Sequence, residues 1–127
     1  MKGRRKIPAM HTRYSADTQS LVDAVLNSPG YTTPELRRSV ATHVAQLCSR
    51  SSQDTQLLPQ ELERYVTRVA LYAYRTTDED IEELRKAGYS DDALFEITLS
   101  AALAAGMARL ECGLAVLKGA RDAHQEA

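Results

Sequence analysis

The chain has no tryptophan, a single phenylalanine (Phe95) and only two cysteines among its 127 residues. A core must therefore be built from aliphatic side chains and tyrosine. Cys48 and Cys112 stand 64 positions apart, too far for any metal or redox spacing and too few for a disulfide framework. Such usage suits a reducing, cytoplasmic setting. Charge of one sign is also missing: 16 basic and 17 acidic side chains leave a net −1. No global electrostatic case exists for nucleic acid or an anionic membrane. No apolar h-region follows the basic start, so no secretory signal is read. Nor does any segment alternate with period two over strand length, and the chain reads as all-α. At this length it makes one domain.

What is present in quantity is alanine and leucine, concentrated between Ser90 and Lys118. Ser90 is a good N-cap, and Asp91 and Asp92 put negative charge where the helix dipole favours it. Leu94, Phe95, Ile97, Leu99, Leu103, Met107, Leu110, Leu114 and Leu117 follow, threaded with Ala101, Ala102, Ala104, Ala105 and Gly106. From Ile97 to Ala108 no residue is charged. A helix apolar all round is buried in protein or spans a membrane. The uncharged run falls short of the ~20 residues a bilayer needs. The expectation is a long central helix wrapped by others, from its own chain or a neighbour's.

Before it, residues 1–14 lack periodicity and carry Lys2, Arg4, Arg5 and Lys6, which reads as a basic arm. A first helix follows Ser15 and ends at Ser28-Pro29-Gly30. Thr33 caps a second with Pro34 at its first position, and residues 49–58 read as a loop. A third helix starts at Pro59, with Leu62, Val66, Val69, Ala70 and Ala73 as its apolar stripe. Thr76 or Thr77 caps a short fourth, with Glu79 or Asp80 three residues on. Ile81 and Leu84 are its inward residues, and Gly88 supplies a left-handed C-cap. Tyr89 packs back on Leu84 and forward on Leu94.

The segment from Pro59 to Leu117, and most specifically KAGYSDDALFE running into an alanine-rich helix, resembles the carboxymuconolactone decarboxylase and alkylhydroperoxidase D-like superfamily. The resemblance implies an all-helical fold, no cofactor, and a homo-oligomer: dimer, trimer or hexamer. Peroxidase-type members of that family carry a glutamate, a CxxC twelve residues on and a histidine four beyond it. Counted back from Gly88, those positions fall on Glu61 (Glu63 with a two-residue slip), Ala73, Thr76 and Asp80. Only the glutamate matches. A dithiol peroxidase needs one thiolate to attack and a second thiol to resolve it, so that activity is not expected here.

Within the family-like segment Glu61, Tyr65, Arg68, Tyr72 and Thr76 follow at three- and four-residue steps and can share one helical strip. A carboxylate, two phenols and a guanidinium could bind and protonate a small carboxylic acid, with Glu61 as the acid–base group. Two classes of function follow from this pattern. One is a catalytically silent structural or partner-binding oligomer; the other is a cofactor-free decarboxylase or isomerase acting on a small organic acid. The acidic block Asp78–Glu83 lacks the spacing and glycine of a calcium loop and reads as a dipole-stabilised first turn, so no metal is expected. Asp80 stands at the family's histidine position, where the capping box already accounts for it. His43 is expected half-buried with one hydrogen bond, and both cysteines as inert small hydrophobes. The helix pair around Gly88 imitates a helix-turn-helix, but Asp91, Asp92 and Glu96 on the second helix would repel phosphates.

Overall fold

A computed structural model describes residues 10–49 and 58–126. The described residues form five α-helices, one 3-10 turn and no strand. These are α1 (Met10–Asn27), α2 (Pro34–Ser49), α3 (Gln60–Leu71), a 3-10 turn (Ala73–Arg75), α4 (Asp78–Lys86) and α5 (Asp91–Glu126). The first helix begins five residues before the expected Ser15 cap; the rest of the basic arm, residues 1–9, lies outside the described residues, as does most of the expected loop, residues 50–57.

Helix boundaries follow local chemistry closely. The Thr33 hydroxyl accepts the Leu36 N–H at 3.1 Å, and the Ser90 hydroxyl accepts that of Ala93 at 3.1 Å. Of the two threonines before α4 it is Thr77 that caps, in a reciprocal box with Asp80. Thr76 precedes the cap in extended geometry. Gly88 adopts φ 107°, and the Tyr89 N–H reaches back to the Leu84 carbonyl at 3.1 Å, closing α4 as a left-handed glycine cap does.

Helices α1, α2 and α3 all pack on α5, with α2 the most extensive neighbour. The core joins Val40 and Val44 of α2, Leu62, Tyr65, Val66 and Ala70 of α3, Leu84 of α4, and Leu94, Ile97, Ala101 and Ala105 of α5. Burying each of these larger aliphatic side chains stabilises the fold by about 1.5–3 kcal/mol. Ala73, placed on the inward stripe of α3 by spacing, is exposed, because α3 ends at Leu71.

The central helix departs from expectation in one respect. It is continuous for 36 residues, but only one face is wrapped. The last buried residue among its described side chains is Ala105, and Phe95, Leu99, Leu110, Val116 and Leu117 are 40–69% exposed. Ala102, expected in a tight helix contact, faces solvent, and so does Cys112. Three short helices cover about one side of a cylinder this long, and no segment among the described residues returns to cover the other. By length and composition the stretch Asp91–Ala120 is also long enough and apolar enough to cross a membrane, with a third of its most apolar window buried. The expectation of a span too short rests on the charge-free run and on the interruptions at Glu96, Arg109 and Glu111, which over the longer stretch are too few to lower its hydropathy below that of a span.

Candidate functional site

By spacing the strip on α3 is the leading site, and the structure gathers part of it. Glu61, Tyr65 and Arg68 of α3 meet Asp80 of α4 in one cleft, together with Arg64, Glu83 and Leu84. Tyr72 and Thr76 are not there. Because α3 stops at Leu71, Tyr72 sits at its C-cap, exposed, with the Arg75 guanidinium 5.5 Å from its ring centre. Thr76 lies beyond the 3-10 turn, half-buried.

The four residues that do converge are mostly occupied within the chain. Arg68 Nη1 donates to both oxygens of Asp80, at 2.9 and 2.8 Å. Asp80 Oδ2 also accepts the Thr77 N–H at 2.9 Å. That N–H is the largest influence holding the Asp80 carboxyl below its ordinary value; burial opposes it, and Arg68 and the Thr77 hydroxyl reinforce it. An aspartate so held is ionised at neutral pH and is no proton donor. The Tyr65 hydroxyl, buried with its ring in the core, pairs with the Thr98 hydroxyl at 2.6 Å, which passes a hydrogen bond to the Leu94 carbonyl at 2.7 Å. Glu61 is exposed at the edge. The space left inside measures ≈ 10 Å³, about one water. Asp80 is thus a structural carboxylate tying α4 to α3.

A second, larger concavity is not foreseen by the sequence. A groove of ≈ 840 Å³ runs between α1, α2 and α5, walled mainly by aliphatic side chains such as Val22, Leu26, Leu103 and Met107. Both cysteines line it, Cys48 half-buried and Cys112 exposed, so two thiols assigned to separate helices share one trough. On α1 the sequence offers the stripe Leu21, Val22, Val25 and Leu26, which gives no register against α5; Val22 and Leu26 line the groove, while Leu21 is exposed. Among the described residues the groove's lining includes no histidine, lysine or arginine; its one charged member is Glu111, the neighbour of Cys112 in sequence. His43 turns away from it, its Nε2 3.1 Å from the Thr67 hydroxyl on α3, half-buried as expected. Among the described residues no group of three or more His, Cys, Asp or Glu is placed to hold a metal ion.

The most heavily bonded polar cluster ties the loop before α2 to α5. Arg37, 3% exposed, donates to the carbonyls of Val25 at 2.6 Å, Ser28 at 2.5 Å and Thr32 at 3.2 Å. Its Nε, without a hydrogen-bond partner among the described residues, faces Glu96 Oε1 at 4.0 Å. Glu96 accepts the N–H groups of Tyr31 and Thr32, both at 2.7 Å, and the Thr32 hydroxyl at 2.6 Å. Burial pushes the Glu96 carboxyl up and is its largest single influence. The bonds from Thr32 and Tyr31 and the Arg37 charge together outweigh it, so the group titrates below its ordinary value. Both oxygens of the carboxylate are spent on the chain's own loop, which makes the pair a latch.

The geometry therefore defines an all-helical protein, without a CxxC pair, whose ionisable clusters close on themselves. No family model, curated protein or solved structure matches the chain.

Proposed function

We propose that this protein is a catalytically silent helical subunit that works by association with itself and with partners, built on a carboxymuconolactone decarboxylase-like helix arrangement that does not carry dithiol chemistry. The observation that carries this reading is the closed cleft at Glu61, Tyr65, Arg68 and Asp80. Arg68 and Asp80 pair with each other there and leave ≈ 10 Å³, whereas an acid-binding enzyme needs a guanidinium free to take a carboxylate and room for the rest of the substrate. The family relation rests on the pattern from Pro59 to Leu117. One feature departs from it further: Ala73 and Thr76, at the cysteine positions, lie ahead of the Thr77 cap and outside helix α4, where no helix dipole would activate a thiol. Two widely spaced cysteines and a face of α5 packed on the chain's own helices favour the cytoplasm over a membrane.

The alternative, a cofactor-free decarboxylase or isomerase with Glu61 as its acid–base group, is favoured only by the convergence of Glu61, Tyr65, Arg68 and Asp80. Titration calorimetry with a panel of small mono- and dicarboxylic acids separates the two. The expected result is no saturable heat. Saturable binding that Arg68→Leu abolishes would establish the enzyme reading in its place.

A further inference from the structure

The exposed face of α5 is too regular to be incidental. Phe95, Leu99, Ala102, Gly106, Leu110, Gly113 and Leu117 recur at steps of three and four, so they form one stripe about 33 Å long opposite the buried Ile97, Ala101 and Ala105. Phe95 is 66% exposed and Leu117 63%. The stripe presents on the order of 500 Å² of surface, the size at which an exposed apolar patch marks an interaction site. Two glycines lie within it. A helix-interior glycine is less favourable than alanine, because it gives up more backbone freedom on folding. At Gly106 and Gly113 an added Cβ would meet nothing within 4 Å, so no contact among the described residues requires their smallness. A close approach from outside would. Gly119, off the stripe, has no such explanation.

We propose that this face is a dimer interface, in which α5 of one copy packs antiparallel against α5 of a second, with the two Gly106 residues at the dyad. The proposal rests on the self-associating reading above and specifies its surface. Three features of the sequence around Gly106 commit it to a second copy. First, the stripe is self-complementary on reversal: eleven residues before Gly106 is Phe95 and eleven after is Leu117; seven before is Leu99 and seven after is Gly113. Large side chains thus meet at the ends, and Leu99 enters the notch left by Gly113, as a two-fold interface requires. Second, the charges at the ends are opposite. Asp92, exposed and without an ion-pair partner among the described residues, lies within one turn of the partner helix's Lys118 in the reversed register, while a parallel pairing would set acid against acid. Third, two copies of the stripe remove roughly 1,000 Å², the lower bound for a specific interface.

The test uses the full chain with Cys48→Ser and Cys112→Ser as background. Light scattering at tens of micromolar should give twice the 14.0 kDa chain mass. Ala102 is exposed, so Ala102→Arg should leave helicity and melting of the isolated fold unchanged while weakening the dimer about 100-fold, through a charge buried at the interface. Phe95→Cys and Leu117→Cys chains, mixed under oxidation, should form a mixed disulfide, and neither should cross-link alone. Cross-linking of Phe95→Cys with itself would overturn the antiparallel register. An assembly that Ala102→Arg leaves intact would overturn this surface and leave self-association standing. A monomer that partitions onto phosphatidylcholine–phosphatidylglycerol vesicles through the same face would overturn the dimer and show α5 to be a lipid-binding helix. A monomer that does not bind them would overturn the dimer and the self-associating reading alike.

Discussion

Glu96→Ala is expected to destabilise the fold by about 2–4 kcal/mol at neutral pH, a large effect for one side chain of α5 whose carboxylate is not in the apolar core. The magnitude follows from what the carboxylate holds. Three donors reach it at 2.6–2.7 Å, and hydrogen bonds to a charged acceptor are worth about 1.5–3 kcal/mol each. They do not add. The Tyr31 N–H is exposed and regains water on deletion, whereas the Thr32 N–H and hydroxyl are partly buried and do so poorly. Arg37 keeps its three carbonyls but loses the anion facing its buried Nε. Alanine's better helix propensity returns a few tenths of a kcal/mol. Urea unfolding at pH 7 reads the difference, and the melting temperature should fall by roughly 8–15 °C.

The pH dependence gives the sharper check. Glu96 titrates below its ordinary value of 4.5 in the folded chain. Its contribution is therefore fully present above about pH 4.5 and is lost as pH falls through the folded value. The gap between wild type and Glu96→Ala should be constant from pH 7 to 5 and narrow below it, as the part of the contribution that depends on the charge is lost. Gly30 probes the same latch from the other side, because a Cβ there would lie 2.5 Å from Glu96 Oε2. Gly30→Ala should be destabilising in the wild type and close to neutral in Glu96→Ala, where nothing remains to displace. A Glu96→Ala protein within about 0.5 kcal/mol of wild type at pH 7, or a gap that does not narrow in acid, would refute the reasoning.

The remaining expectations are simpler. Ala105→Leu, at a 2% exposed site, should cost about 1–3 kcal/mol by overpacking in thermal melts, whereas Ala102→Leu should cost the isolated fold nothing measurable. Asp80→Ala removes the reciprocal half of the α4 capping box and the partner of Arg68 together, leaving the Thr77 cap itself, and should cost about 1–2 kcal/mol in urea unfolding. The double change Cys48→Ser, Cys112→Ser should leave circular dichroism and assembly unchanged, and the wild type should consume no peroxide with a dithiol reductant; turnover lost in the double variant would place a thiol site in the α1–α2–α5 groove.

Much of the fold is legible from the sequence because it is written in local chemistry. Thr33, Thr77, Ser90 and Gly88 each terminate a helix through a bond spanning five residues or fewer, and such signals survive without knowledge of the tertiary structure. The polar site is harder to read for the opposite reason. That Tyr65 would spend its hydroxyl on Thr98, 33 positions away, or Glu96 its carboxylate on Thr32, 64 positions away, depends on pairings that no spacing records. Glu96 reads along the chain only as a charge interrupting an apolar helix. The strip on α3 is half right: helical steps join Glu61, Tyr65 and Arg68, but extending them to Tyr72 and Thr76 assumes a helix that has already ended at Leu71.

Helix α5 shows why an apolar pattern alone cannot decide what surrounds it. Both of its faces are apolar, so the composition that says "buried" says nothing about by whom. The answer comes from the amount of chain left to do the covering. Two of the helices that cover it, α2 and α3, have 16 and 12 residues, and the core they build with α5 ends at Ala105. The alanines divide accordingly: Ala101 and Ala105 are buried in the core that α5 shares with α2 and α3, while Ala102, one residue from the first and three from the second, is exposed. Smallness on the covered side has its cause within the chain. On the uncovered side, at Gly106 and Gly113, the cause has to lie outside it, and that division of one apolar helix into two differently explained faces is what turns a packing pattern into an argument about assembly.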